Sequence, residues 1–258
     1  MNLHLQHKVA LVLAASKGLG RAVATMLAEE GATVVIGSRD EAELKRTAAE
    51  ISKETNQPNI LAVPVDVTRP DELQNIVNQC LKTYGGIDIL VNNAGGPPFN
   101  KFESFDDEQW LAAFNQNLLS VARTSRMVIP HMRAAGGGRI INIISASVKS
   151  VMANSVLSTS MRMGVVGMAK LLADEVGPYG ITVNNVAPGL ILTGRVKETL
   201  PAGDYEAALK ERTAGIPVGR IGKPEELAAL VAFLASEQAA YITGTTIPID
   251  GGSNRGIY

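Results

Sequence analysis

Cysteine is nearly absent. Cys80 is the only one in 258 residues, which excludes a disulfide framework and a cysteine-based metal site. It falls in an amphipathic run and reads as a packed helical thiol rather than a nucleophile. Histidine is almost as scarce: His4, His7 and His131 lie outside any motif, the first two in the N-terminal tail, so a Ser-His-Asp hydrolase has no positioned base. No His/Asp/Glu cluster has metal-ligand spacing, so no metal is expected. Charge of one sign is missing too. With 24 Lys+Arg against 25 Asp+Glu and no basic run, nothing in the electrostatics favours nucleic acid or a membrane surface. No apolar run reaches the ~18 residues of a membrane span, and the first residues lack a basic leader with an apolar segment behind it. A cytoplasmic location is expected.

What is present is a regular alternation. Lys8–Ala14 is a short, continuously apolar run, as in a strand buried on both faces of a parallel sheet. Arg21–Glu30 reads as a helix closed by Gly31, Thr33–Gly37 as a second strand, and the helix to about Glu54 as capped by Asp40. Ile60–Val65, Ile87–Val91, Arg139–Ile144, Ile181–Val186 and Thr245–Ile249 are further strands. Helices are expected at Asp71–Tyr84, Asp106–Arg133, after Ser145, and at Pro224–Leu234. This spacing predicts right-handed βαβ units in an α/β, doubly wound parallel sheet. No linker or second composition regime interrupts the chain, so residues 1–258 are expected to form a single domain.

Between the first strand and first helix lies Ser16-Lys-Gly-Leu-Gly20. Glycines at such a turn let the backbone approach a pyrophosphate, and the helix N-terminus supplies N–H groups and a positive dipole. With the strand-turn-helix context, the turn points to a dinucleotide and the fold to the Rossmann type. From end to end the chain resembles a short-chain dehydrogenase/reductase (SDR), close to the 3-oxoacyl-acyl-carrier-protein reductases. The family motif TGxxxGxG falls on Leu13-Ala14-Ala15-Ser16-Lys17-Gly18-Leu19-Gly20, with Leu13-Ala14 in place of Thr-Gly. Ala14 fits such a turn if its backbone keeps a negative φ.

The resemblance implies a nicotinamide cofactor. NAD-dependent members end the second strand on an acidic residue; here Ser38 stands there, followed by Arg39, with Lys17 in the turn. Two cations and no carboxylate favour the 2′-phosphate of NADP(H) over NAD(H). Asp66-Val67 resembles the adenine-contact pair. Asn92-Asn93-Ala94-Gly95 matches NNAG, whose Asn residues can also serve the fold by bonding backbone. Pro188, Gly189 and Thr193 fall where the family holds the far side of the cofactor.

The family's catalytic set is Asn, Ser, Tyr and Lys. Asn117 and Ser145 match the first two. Thirteen residues beyond Ser145 the chain has Ser158, and four later Arg162, where the family has YxxxK. Tyr84, Tyr179, Tyr205, Tyr241 and Tyr258 all lie elsewhere, and the enoyl-reductase spacing puts Ser155 at its Tyr position. A serine hydroxyl is a far weaker acid than a phenol of pKa ~10. Arg162 keeps a charge able to hold a ribose or an oxyanion but does not titrate near neutral pH. Water, Lys149 or Tyr205 are the alternative proton sources.

The expected function is therefore NADP(H)-dependent hydride transfer between nicotinamide and a small carbonyl or alcohol, through an atypical Asn117/Ser145/Ser158/Arg162 site. Two alternatives stay open: a nucleotide-binding scaffold or sensor with little catalysis, and a reductase of an activated C=C bond. The pocket is expected between Gly96–Phe99, Ser147–Asn154 and a lid over Leu190–Val218. The resemblance implies a homotetramer or homodimer with interfaces near Ile242–Gly252.

Overall fold

The computed structural model describes residues 2–58, 60–194, 196 and 205–257. Seven strands form one sheet: β1 (Val9–Leu13), β2 (Thr33–Ser38), β3 (Ile60–Pro64), β4 (Ile89–Asn92), β5 (Gly138–Ile143), β6 (Ile181–Pro188) and β7 (Thr246–Ile249). Their order is β3-β2-β1-β4-β5-β6-β7, and every pairing is parallel. The order reverses between β1 and β4, the switch point at which such sheets open a ligand crevice.

The apolar runs alternate between two layers, as the period of a strand requires. Leu11, Val35, Leu90 and Ile140 pack with Leu73, Ile76 and Val128 on one face. Ala10, Val12, Val34, Ile36 and Ile141 pack with Val23, Leu27 and Val231 on the other. The helices supplying these layers are α1 (Gly18–Glu29), α2 (Glu41–Thr55), α3 (Pro70–Tyr84), α4 (Asp107–Phe114), α5 (Ser120–Ala134), α6 (Val156–Val176), α7 (Tyr205–Thr213) and α8 (Pro224–Ala235). Asp40 caps α2 by accepting from the Glu43 N–H at 2.9 Å. Asp106 and Gln109 form a capping box at α4.

Three expectations are corrected. First, α1 starts at Gly18, inside the glycine turn, so the turn's own glycines form the helix N-terminus. Second, the long helix from Asp106 is interrupted by a π-turn, Asn115–Leu119, whose wider backbone the apolar pattern does not reveal. Third, Val156–Tyr179 is long and apolar enough to cross a membrane, although no uninterrupted apolar run reaches that length. It packs instead as α6 on the sheet, burying Leu157, Val165, Ala169, Ala173 and Val176.

Side-chain amides cross the sheet in register. Asn92 Nδ2 donates to Asn142 Oδ1 at 2.9 Å, Asn142 Nδ2 to Asn185 Oδ1 at 2.9 Å, and Asn185 Nδ2 to Thr246 Oγ1 at 3.1 Å. These residues are direct partners on β4, β5, β6 and β7. Each interior amide gives and takes one bond, so polar groups inside the layer are satisfied by one another.

Candidate active site

The first strand ends on Ala14, whose φ is +49°, contrary to the negative value expected. The reason is local: the chain must turn sharply enough for the Ala14 carbonyl to face Asn93, which donates to it from Nδ2 at 3.2 Å. The left-handed region costs an L-residue with a Cβ roughly 1–2 kcal/mol. Gly18 follows at φ +60°, and at Gly20 a Cβ would collide with that same Ala14 carbonyl. Both glycines are demanded by the backbone here, and the α1 N-terminus they shape is open to an anion.

At the end of β2, Ser38 Oγ is shielded from solvent with no hydrogen-bond partner. Arg39 and Lys17 are both exposed. The alignment sees no carboxylate at this place, yet the fold brings one in. Glu43, from the first turn of α2, accepts from Ser16 Oγ at 3.4 Å and lies 4.0 Å from Lys17 Nζ. Thr47 of the same helix donates to the Ser16 carbonyl at 2.8 Å. Sequence reasoning missed Glu43 because it is contributed by the next helix; its i+3 place after the Asp40 cap was the available signal. Beyond β3, Asp66 accepts from the N–H and hydroxyl of Thr68, and Val67 packs against the core. Arg123 of α5 adds bonds to the Thr68 carbonyl and to Asn115.

After β4, the Gly95 carbonyl accepts from two amides of the π-turn: Gln116 Nε2 at 2.7 Å and Asn117 Nδ2 at 2.9 Å. Asn117 is buried and its Oδ1 has no partner. The turn's extra residue is what aims both side chains back at the strand end. Ala94 continues the same loop. Across the sheet, Pro188 ends β6 and Gly189 packs against Asp250. Thr193 sits next to Gly18, closing the cradle on its far side. Leu19 packs against the core from the first turn of α1.

Ser145 leaves β5 in extended conformation, and its Oγ accepts from the Ser147 N–H at 3.2 Å. Ser158 and Arg162 lie one turn apart on α6 and are 7% and 8% exposed. Arg162 Nε donates to Ser158 Oγ at 3.2 Å, and its NH1 donates to the Ile143 carbonyl at 3.0 Å. The guanidinium is thus tied to the last residue of β5, just before the site's serine. Of the alternative proton sources, Lys149 is exposed on the loop beyond Ser145. The side chain of Tyr205, and residues 197–204 of the expected lid, lie outside the described residues.

The cavity beside this site differs from the expected one. A trough of about 640 Å³ runs along Ser147–Val156, with Asn100, Lys101 and Phe102 opposite and Thr159, Ser160 and Met163 of α6 as its floor. Gly96–Phe99 and the lid segment do not line it. The cause is a short parallel pairing, Asn100 with Ser155, fixed by the Asn100 N–H donating to the Asn154 carbonyl at 2.9 Å.

Residues 13–254 match a family model described as enoyl-(acyl carrier protein) reductase. The chain is 38% identical over 252 residues to a 3-oxoacyl-[acyl-carrier-protein] reductase of Vibrio cholerae, covering 97% of this chain and 98% of that one. It is 34% identical over 249 residues to an NAD-dependent glycerol dehydrogenase of Listeria innocua, covering 96% and 94%. In structure it is similar to L-sorbose reductase from Gluconobacter frateurii, complexed with NADPH and L-sorbose, with TM-score 0.94 and 31% identity over 100% of both chains.

Proposed function

The chain belongs to the short-chain dehydrogenase/reductase family of oxidoreductases, and on that premise we propose that it transfers hydride between NADP(H) and a carbonyl or alcohol substrate. We further propose that Asn117, Ser145, Ser158 and Arg162 form its catalytic site. One observation carries this reading: Arg162 occupies the family's Lys position as a buried cation bonded to Ser158.

The cofactor suits the residues present. Ser38 Oγ is a shielded, unpartnered polar atom at the strand end where the family reads the adenosine ribose, and Lys17 and Arg39 are the cations beside it. The turn from Ala14 to Gly20, with Ser16 and Leu19, would hold the pyrophosphate. Asp66 and Val67 would contact the adenine, and Asn93, Ala94, Gly95, Pro188, Gly189 and Thr193 the nicotinamide half. NADPH would supply the hydride. NADPH is also the cofactor of the sorbose reductase complex. Glu43 weakens the cationic character of the 2′ pocket but does not cancel it, since two cations face one carboxylate.

Ser158 Oγ accepts from Arg162 Nε, so its own hydrogen is directed elsewhere, toward a substrate oxygen. A neighbouring cation favours the alkoxide form that remains when this proton leaves. Water then restores the proton, because Arg162 cannot. Ser145 would hold the same substrate oxygen, and Arg162 would stabilise negative charge developing on it.

The second reading, a nucleotide-binding protein without carbonyl reduction, draws on the same contact: Arg162 is already engaged by Ser158 and the Ile143 carbonyl. NADPH consumption against ketones, 3-oxoacyl thioesters and enones separates the two. Wild type should turn over a carbonyl substrate, and the Ser158→Tyr/Arg162→Lys double variant should differ in rate. Turnover by the double variant alone would favour the second reading. Turnover confined to enones would favour C=C reduction.

Residues 1–258 are read as one domain, since strands from Val9 to Ile249 share one sheet. A cytoplasmic homotetramer or homodimer is supported by the partly exposed edge strand β7, the fully exposed Tyr241, and exposed Leu111, Phe114 and Leu171.

A further inference from the structure

The trough beside the serines has a lining unlike a general carbonyl pocket. It contains two cations, Lys101 and Lys149, and no carboxylate. Its apolar part, Phe102, Val151, Met152 and Met163, is solvent-exposed. Ser147, also in its lining, is 4% exposed, and its hydroxyl has no hydrogen-bond partner. A buried hydroxyl left unpaired costs free energy that a bound polar group can recover. Ser147 is also bonded through its N–H to Ser145, so the trough begins where the catalytic serine ends.

We propose that this trough takes an anionic substrate with an apolar chain, an oxo- or hydroxy-acid whose charged end is held by Lys101 and Lys149 and whose chain lies on Phe102, Val151, Met152 and Met163. Two lysines without a carboxylate favour an anion through charge-assisted hydrogen bonds, and the exposed apolar side chains gain by being covered. Small polar molecules leave that apolar surface uncovered, and neutral lipids leave both lysines unused. That the occupant is a substrate rests on the oxidoreductase reading above; that the trough binds such an anion does not.

The test is calorimetric titration of the full chain with decanoate and, separately, with decan-1-ol. Decanoate should bind more tightly than decanol. Lys101→Met/Lys149→Met should lower decanoate affinity about tenfold, the loss of one charge-assisted contact, and leave decanol unchanged. Ser147→Ala should weaken decanoate while raising the melting temperature of the unliganded protein, because it removes an unpaired buried hydroxyl. Equal affinity for the acid and the alcohol would overturn the proposal. So would decanoate affinity unmoved by the lysine variant, or a second copy of the chain covering the trough, seen as an oligomer that Lys149→Glu dissociates. NADPH binding, followed by its fluorescence, is read apart from these. Its failure with decanoate still bound would sink the oxidoreductase reading and leave the trough's ligand class standing.

Discussion

Ala14 is the residue at which the phosphate turn carries its strain. Its φ of +49° is held by the bond from Asn93 and by the tight approach of Gly20. Glycine at this position would relieve roughly 1–2 kcal/mol of left-handed strain, offset in part by a more flexible unfolded chain. Ala14→Gly should therefore raise stability by about 1 kcal/mol, read as a higher midpoint in urea at unchanged slope; a lower midpoint would mean the turn relaxes in solution. Residue identity was legible in the chain, but this conformation was not. The sequence placed Ala14 in the turn and Ser158 and Arg162 in register with a family motif. It could not say that the turn forces positive φ on Ala14, or that Arg162 would bond Ser158 and a β5 carbonyl, because both depend on how β1, β5 and α6 approach in space. Glu43 escaped for the same reason, being 27 residues from the Ser16 it touches.

At the scale of elements, the strands were easy to read because each is apolar on both faces, and their positions shifted by only a residue or two. The helix ends were harder. α1 begins earlier than its apolar stripe, since the glycines that start it carry no side chain to show a period. The π-turn that aims Asn117 is invisible to any pattern of 3.6 residues. The amide ladder was half legible: the Asn residues of the NNAG match could be given a structural role, but only the register of β4, β5 and β6 shows which groups they meet. Asn142 is its centre, and Asn142→Leu would leave the Asn92 amide and the Asn185 carbonyl short of partners inside the sheet. At about 1–3 kcal/mol for each buried unpaired group, softened by Asn92's remaining bond to Ser125 and by the added apolar contact, the loss should be about 2–4 kcal/mol. Urea denaturation of the variant checks it. A change below 1 kcal/mol would mean that the ladder contributes little beyond filling space.

For the whole molecule, the alternation of strand and helix dictates a parallel sheet whose crevice opens at the β1/β4 switch, and the cradle collects residues from nearly every loop at that edge. Those loops meet only in the folded state, so the cofactor should stabilise the fold as a unit. A ligand at one hundred times its dissociation constant adds about 2.7 kcal/mol. The size of the added stability thus reports which cofactor fits. At equal concentrations NADPH should raise the melting temperature more than NADH, because the 2′-phosphate meets Lys17 and Arg39. Arg39→Ala should shrink that difference from the NADPH side alone, leaving the NADH shift in place. Glu43→Gln should widen it, since the carboxylate that now engages Lys17 would no longer oppose the phosphate. The three shifts are coupled through one charge balance, which makes the pattern more informative than any single value. If NADH matches NADPH in wild type and neither variant separates them, the 2′ position is not read by charge. Ser38, whose hydroxyl could then serve a ribose without a phosphate, would be left as the residue that selects the cofactor.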